Sequence, residues 1–156
     1  MGLVAARLAE LGLTLPAVAA PVAAYVPAVL SGSYVYTSGQ LPFVDGALPA
    51  HGKVGDGEGL VDPADAARHA RTAALNAVAA VAALIGDLDQ VRQVVKVVGY
   101  VASDPAFTGQ PQVVDGASTL LAEIFGVAGV HARSAVGVCA LPLNSPVEIE
   151  LLVELH

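Results

Sequence analysis

Two charged residues near the end of this 156-residue chain could together support hydrolysis of a small acid. Arg133 opens an otherwise apolar run, where a buried guanidinium is costly unless it meets an anion. Its planar fork suits a carboxylate, which it can hold through two parallel hydrogen bonds. Glu148 follows in the next run, and a half-buried glutamate with a raised pKa can orient or deprotonate a water. The alternative is that Arg133 pairs with a structural Glu and the other charges are solvated.

Both residues fall in a predicted C-terminal hairpin. Its strands are Arg133–Ala140 and Val147–Leu155, joined by a turn at Leu141–Pro146. Side chains alternate along a strand, so every second residue shares a face. The predicted faces group Arg133 with Ala135, Gly137 and Cys139, and Glu148 with Glu150 and Glu154. Cys139 is therefore expected to be a buried strand residue.

Other residue types that carry chemistry are sparse. Ser38 has no His or Asp pattern nearby, which disfavours a serine nucleophile. His131 could shuttle a proton, but a lone loop histidine is expected to be solvated. A single cysteine and four scattered histidines exclude an intrachain disulfide framework and disfavour a structural zinc site.

Composition limits the classes of partner. Seven Lys and Arg against fourteen Asp and Glu give a net charge of −7 without a basic stripe, which disfavours nucleic acid. The uncharged stretch Leu11–Leu30 is interrupted by three prolines and follows no basic start, so neither a membrane span nor export is expected and a cytoplasmic location is favoured. With 55% hydrophobic and 13% charged residues, self-association is plausible.

The hydrophobic pattern predicts the elements that position these residues. Two long helices, several β-rich runs and short connections indicate an α+β fold, with one mixed sheet and both helices on a single face. We expect one domain over 1–156, in which 1–21 form an N-terminal helix and connector. The predicted elements before the last hairpin are a helix over 3–11, a connector over Thr14–Pro21, strands Val22–Val29 and Ser33–Ser38, an exposed loop Asp45–Gly59, a helix from Asp62-Pro63 to Gly86, a strand Val91–Val101 and a helix Pro111–Phe125.

Strand Val91–Val101 is predicted to be buried on both faces. Val94, Val98 and Tyr100 should share one face, with Val91, Val95, Val97 and Val101 on the other. Apolar residues on both faces indicate that the sheet face away from the helices is covered in an oligomer.

Four sequence blocks, in this order and spacing, resemble the signature of the RidA/YjgF family, also known as L-PSP endoribonuclease-like proteins. They are YVYTSGQLP (34–42), ARSAVGV (132–138), Leu141-Pro142 and VEIE (147–150). The resemblance covers Tyr25 to the C-terminus, and the residues of these blocks are most similar to those of a less-characterised branch of the family. It implies a chorismate-mutase-like fold and a homotrimer with ligand clefts between subunits.

The resemblance also implies an activity and its residues. Family members hydrolyse 2-imino acids, derived from enamines, to 2-oxo acids and ammonia, without metal or cofactor. By position, Arg133 would clamp the substrate carboxylate and Glu148 would direct the attacking water. Four further residues would line the substrate site: Tyr25, Ser38, Gly39 and Ala135.

Two departures from the family pattern bear on activity. Ala135 stands where a cysteine is frequent, and Asp115 is the nearest polar residue to a family asparagine; an unpaired carboxylate there would repel an anionic substrate. Three hypotheses therefore stay open: an imine deaminase, a non-catalytic trimer that binds small carboxylates, and an endoribonuclease, which the charge disfavours.

Overall fold

The polypeptide forms one mixed five-stranded sheet with three helices, in a computed structural model that describes residues 2–18 and 24–156. The elements are α1 (Leu3–Glu10), β1 (Ala28–Ser31), β2 (Tyr34–Thr37), α2 (Pro63–Ile85), β3 (Val91–Ala102), α3 (Gln110–Phe125), β4 (Ala132–Val138) and β5 (Val147–Leu155). The strand order is β1-β2-β5-β3-β4, in which β3 and β4 run parallel and the other neighbours antiparallel. The predicted α+β class and element order are confirmed.

Local signals fix both ends of α2. The Asp62 carboxylate accepts hydrogen bonds from the backbone N–H groups of Ala64 at 2.8 Å and Asp65 at 3.4 Å. It thereby caps donors that have no partner inside the helix. Gly86 ends the helix with φ 82°, a conformation that glycine adopts without steric cost. The helix predicted between these two residues is confirmed.

The helices α2 and α3 cover the same face of the sheet, which we call the helix face. α2 presents a fully buried alanine stripe, and small side chains allow its backbone to come close to α3. Gly116 of α3 lies directly against the carbonyl of Ala67, and Gly99 of β3 lies against Val114. Hydrophobic burial in this layer is the dominant stabilising term, and its close packing leaves little room for added methyl groups. The stripe consists of Ala66, Ala70, Ala73, Ala74 and Ala77.

The N-terminal helix α1 confirms the prediction over 3–11 and docks on the rest of the fold. The two Asp89 carboxylate oxygens accept hydrogen bonds from Leu3 N at 2.7 Å and Val4 N at 2.8 Å. They satisfy donors at the positive end of the helix. The predicted connector 14–21 continues from this helix, and its last residues lie outside the described ranges.

The first two predicted strands are confirmed in their pairing and corrected in their extent. β1 and β2 form the predicted hairpin around Gly32, where φ is 59°. The first strand was predicted to span Val22–Val29. Residues 24–27 are not in a strand, so this part of the prediction is wrong, and residues 22 and 23 lie outside the described ranges. Pro27 lacks the N–H that a ladder needs, so pairing begins at Ala28.

The predicted C-terminal hairpin is wrong, because β3 lies between β4 and β5. β4 pairs with β3 in parallel and ends at Val138, where its partner strand also ends. Cys139 therefore follows the strand and is exposed, contrary to the prediction that it is buried. The residues of Val147–Leu155 form the predicted strand without change.

A register shift in β3 corrects the predicted faces of this strand. The pairing with β5 is irregular between Val94 and Lys96, so the simple alternation breaks there. Val94 is fully buried with Val97 and Val101, whereas Val98 and Tyr100 are only half-buried. The prediction that both faces are buried therefore holds in the single chain only for the helix face.

The opposite face of the sheet, which we call the open face, carries exposed apolar side chains. Tyr36 is 49% exposed, Val29 51% and Val136 43%. Such a surface is typical of an interaction site. In the described part of the chain, no helix is both long and apolar enough to cross a bilayer.

Candidate functional site

Arg133 is the second residue of β4, lies on the helix face and is held along one side of α3. Its Nη1 donates to Asp115 Oδ1 at 2.7 Å and to Ser118 Oγ at 3.2 Å, while Nη2 donates to the Pro111 carbonyl at 3.3 Å. The three acceptors follow i, i+4, i+7 spacing, which places them on one face of a helix. The Arg133 side chain is 23% exposed and that of Asp115 is 62% exposed. The predicted ion partner was a Glu, and the structure supplies Asp115 instead.

His131 extends this network, and the expectation that it is a solvated loop residue is wrong. It is half-buried, with Nδ1 at 2.6 Å from the Gly129 carbonyl and Nε2 at 2.9 Å from Ser118 Oγ. A carbonyl only accepts, so we assign the ring proton to Nδ1. Nε2 then accepts from the Ser118 hydroxyl, which itself accepts from Arg133. The result is a directed chain of hydrogen bonds from Arg133 to Gly129.

A cavity of about 320 Å³ opens beside this chain. Arg133, Ser118 and His131 form its polar side, and the rest of its wall is small or apolar. Ligand sites typically combine such an apolar wall with a few fixed polar groups. The remaining lining residues are Ala122, Gly129 and Val130.

Glu148 lies on the open face, opposite Tyr100 of β3. It is half-buried, and burial together with the neighbouring Glu150 raises its pKa above the ordinary value of a glutamate. Gly39 lies directly beside it: a Cβ at this position would be 2.6 Å from Glu148 Oε1. The absence of a side chain at residue 39 therefore makes room for the carboxylate. Burial and Glu150 also raise the pKa of Tyr100.

The segment that carries Gly39 is anchored at both ends. The Ser38 hydroxyl donates to the Val26 carbonyl at 2.7 Å, and Ser38 N donates to the Pro27 carbonyl at 2.8 Å. Gln40 pairs with Ile149 of β5. Ser38 thus positions the backbone around Gly39 and holds the neighbouring 26–27 segment. Tyr25, adjacent to that segment, is 51% exposed.

A second anchor comes from α2. The Asn76 side-chain amide donates to the carbonyls of Leu41 at 2.9 Å and Phe43 at 3.1 Å. This asparagine sits in the middle of a long helix and satisfies two carbonyls that follow the TSGQ block.

One chain does not bring Arg133 and Glu148 to one site. Arg133 pairs in register with the helix-face residue Val97, whereas Glu148 pairs with Tyr100 on the open face. Ala135 shares the helix face with Arg133, and its side chain packs against the core. The chain therefore carries two separate groups, which we call the arginine group (Arg133, Asp115, Ser118, His131) and the glutamate group (Glu148, Gly39, Ser38).

Ser118 and His131 were not found from the sequence as a pair. They are separated by a turn and lie on different elements, so only the fold shows that they meet. The one signal in the sequence was the placement of His131 two residues before Arg133.

Residues 5–155 match the protein family described as "YjgF/chorismate_mutase-like, putative endoribonuclease". The chain belongs to this family. Among its relatives, Protein TCP17 of Trypanosoma cruzi is 45% identical over 156 residues, covering 99% of this chain and 96% of that protein. The match extends through α1, so the N-terminal helix is not peculiar to this chain.

Two solved structures share the whole fold. Atu1372 of Agrobacterium tumefaciens, a protein of unknown function, is 45% identical with a TM-score of 0.88, covering 98% of this chain and 92% of that one. A Shewanella oneidensis protein described as "a putative endoribonuclease" is 36% identical with a TM-score of 0.92, covering 97% of this chain and 99% of that one. The chorismate-mutase-like fold implied by the sequence blocks is therefore confirmed.

Proposed function

We propose that the protein hydrolyses reactive 2-imino acids, and the enamines from which they form, to 2-oxo acids and ammonia. The observation that carries this proposal is the half-buried Glu148, whose carboxylate fits beside the bare backbone of Gly39. A carboxylate with a raised pKa is a stronger base than an exposed one and can take a proton from water near neutral pH. Water then adds to the C=N carbon, the nitrogen is protonated, and ammonia leaves.

Arg133 is suited to hold the substrate carboxylate. The guanidinium group of an arginine carries five N–H donors. Acceptors on α3 take two hydrogen bonds from Nη1 and one from Nη2 of Arg133. The edge of the fork formed by Nε and Nη2 has the geometry that matches the two oxygens of a carboxylate. The α3 contacts fix the guanidinium, so less rotamer entropy is lost when the ligand binds. The imine carbon is already electrophilic, and the proposed reaction therefore involves no cofactor or metal.

A site that uses both groups requires two subunits. Arg133 and Glu148 lie on opposite faces of one sheet, so the Arg133 of one chain would meet the Glu148 of another. The exposed apolar residues of the open face are what a subunit interface would cover. We propose a cyclic homotrimer with three such clefts, in which Tyr25 and Ser38 line the glutamate side. Closed symmetric assemblies of this kind are common among soluble homo-oligomers.

The second candidate is a trimer that binds small carboxylates without turnover. The pairing of Asp115 with Arg133 favours it, because a carboxylate already occupies part of the fork. RNA is the least favoured ligand, since fourteen acidic residues oppose seven basic ones. Tight and salt-sensitive RNA binding would support the endoribonuclease hypothesis instead.

The test is competition for a 2-imino acid. An amino-acid oxidase generates the imine in the presence of semicarbazide, which traps it, and hydrolysis by this protein lowers the yield of semicarbazone. Wild-type protein should compete, and Arg133→Ala should not. Arg68→Ala removes another helix-associated arginine, whose side chain is 71% exposed on α2, and should compete like the wild type. A fully active Arg133→Ala protein would refute the proposal, and binding of 2-oxo acids without competition would support the second candidate.

A further inference from the structure

We propose that His131 is a positioning residue for Arg133 and that it acts through the hydroxyl of Ser118. This role rests on the proposed function, in which Arg133 clamps the substrate carboxylate. It adds two residues to that site, neither of which needs to touch the ligand, and it gives a reason for the histidine two residues before the arginine.

Arg133 makes three contacts with α3, and only one of them is shielded from water. The hydrogen bonds to Asp115 and to the Pro111 carbonyl lie at the exposed surface, whereas that to Ser118 Oγ, at 3.2 Å, is partly buried. An exposed ion pair gains little because water screens it. The contact with Ser118 is therefore the one that best fixes the orientation of the guanidinium.

The direction of the Ser118 proton determines how well its oxygen serves Arg133. A serine in a helix can donate to the backbone carbonyl one turn earlier, and its hydroxyl rotates to suit the acceptors around it. His131 Nε2, at 2.9 Å from Oγ, supplies an acceptor outside the helix. With the proton donated there, a lone pair of Oγ is free for Nη1 of Arg133, and the donated bond makes that oxygen a stronger acceptor.

The ring of His131 is fixed at its other nitrogen, so Nε2 can hold the Ser118 hydroxyl in one orientation. Nδ1 donates to the Gly129 carbonyl at 2.6 Å. Gly129 is buried and lies directly against the carbonyl of Leu121 on α3, where a Cβ would not fit. The proton on Nδ1 also leaves Nε2 as the acceptor. His131 therefore connects a fixed point of the backbone to Ser118, and through Ser118 to Arg133.

Two amide substitutions at residue 131 separate this role from a purely structural one. Glutamine can place its side-chain oxygen near the position of Nε2 and accept from Ser118, whereas the shorter asparagine reaches only the position of Nδ1 and can donate to Gly129. Positioning through Ser118 predicts that His131→Gln binds ligand normally and His131→Asn does not. A role limited to holding the chain at Gly129 predicts the opposite order.

The measurement is the dissociation constant of 2-oxobutanoate, a stable 2-oxo acid, by isothermal titration calorimetry on the full-length protein. It should rise about tenfold in His131→Asn and in Ser118→Ala, the low end for loss of one hydrogen bond to a charged group. In His131→Gln it should stay within about threefold of the wild type. A protein with both Ser118→Ala and His131→Asn should bind no more weakly than Ser118→Ala alone, because both changes remove the same chain of hydrogen bonds.

Kinetics should show the same order in KM. His131→Asn and Ser118→Ala should raise KM for the imine about tenfold and change kcat by less than about twofold, because the clamp holds the carboxylate and does not touch the reacting carbon. Alanine favours a helix, so Ser118→Ala tests the same contact even where a variant at residue 131 loses stability in thermal unfolding.

The matched control is His69→Asn. His69 is likewise half-buried and follows an arginine in the sequence, but it belongs to α2. This variant should leave both the dissociation constant and KM unchanged, which separates the effect of His131 from the loss of any half-buried imidazole.

Three results would overturn the proposed role of His131: wild-type affinity in His131→Asn or Ser118→Ala, weaker binding in His131→Gln than in His131→Asn, or no binding of 2-oxobutanoate by the wild type. Additive losses in the doubly substituted protein would contradict an action through Ser118. Failure of the proposed function gives a different pattern. The predicted order of affinities without imine hydrolysis would contradict the deaminase proposal and support the role of His131, whereas Arg133-dependent hydrolysis with a fully active His131→Asn protein would do the reverse.

Discussion

Substitution of Gly39 by alanine should disable the glutamate group without unfolding the protein. The added Cβ would lie 2.6 Å from Oε1, 2.7 Å from Cδ and 2.9 Å from Cγ of Glu148. All three contacts are with one side chain, so the Glu148 carboxylate yields and the backbone keeps its course. Gly39 is not among the residues with positive φ, and alanine is therefore compatible with its backbone conformation.

The size of the effect follows from this displacement. Oε1 has to retreat by about 0.8 Å to reach ordinary van der Waals contact with the new methyl group. A misplacement of roughly 1 Å at a reacting group can lower the rate about 10²-fold, so kcat/KM should fall on that order. A side chain forced off its rotamer costs about 0.5–1.5 kcal/mol. The reduced entropy of the unfolded chain offsets about 0.4–1 kcal/mol of this cost.

The assay combines imine hydrolysis with thermal unfolding. Gly57→Ala is the matched control, because its Cβ would meet only the flexible end of Leu60 at 3.2 Å. We expect Gly39→Ala to lose activity with a Tm within a few degrees of the wild type, and Gly57→Ala to keep both. Full activity in Gly39→Ala would refute the placement of Glu148 in the site. Loss of activity together with global unfolding would show that residue 39 acts through the fold.

Three further predictions concern pH and stability. Glu150→Gln removes a negative neighbour that raises the pKa of Glu148, so this pKa should fall. The acidic limb of a pH profile of kcat/KM reports ionisation of the base, and it should therefore move to lower pH. Glu148→Gln should abolish turnover yet raise the Tm at neutral pH, because a carboxylate whose pKa is raised by folding destabilises the folded state above that pKa; a lower Tm would contradict the argument. Gly116→Ala presses a methyl group against the Ala67 carbonyl between α3 and α2 and should cost about 1–3 kcal/mol in chemical denaturation.

The sequence was most informative where a single residue determines local geometry. The cap at Asp62 and the stop at Gly86 predicted both ends of α2 within one residue. The alternation of Val147–Leu155 predicted its strand and its faces correctly. These predictions succeed because each depends on interactions within a few residues along the chain.

Non-local pairing could not be predicted in the same way. A short turn between β4 and β5 indicated a hairpin, yet β3 enters between them and takes both as neighbours. Strand order depends on which buried faces fit against α2 and α3, a property of the whole sheet and not of the turn. For the same reason the exposure of Cys139 was missed, since it depends on where the partner strand β3 ends.

The candidate site was predictable only in part. The resemblance supplied Arg133 and Glu148, and the structure separates them onto opposite faces of the sheet. Neither Ser118 nor the fit of Glu148 against Gly39 has a signal in residue spacing, because both arise from contacts between distant segments.

Co-assembly of two inactive variants tests most directly the central claim that the site combines Arg133 of one subunit with Glu148 of another. Arg133→Ala and Glu148→Gln chains, co-expressed in equal amounts and purified through one tag that both carry, are compared with wild-type chains co-expressed and purified in the same way with the double variant. With sites between subunits and random assembly, about one site in four should hold both wild-type residues in either preparation.

If each site spans two subunits, imine hydrolysis in both mixtures should return to about a quarter of the wild-type rate per site, while each variant alone stays inactive. A site within one chain would leave the first mixture inactive and give the second about half of the wild-type rate. That second pattern would contradict a site shared between two subunits.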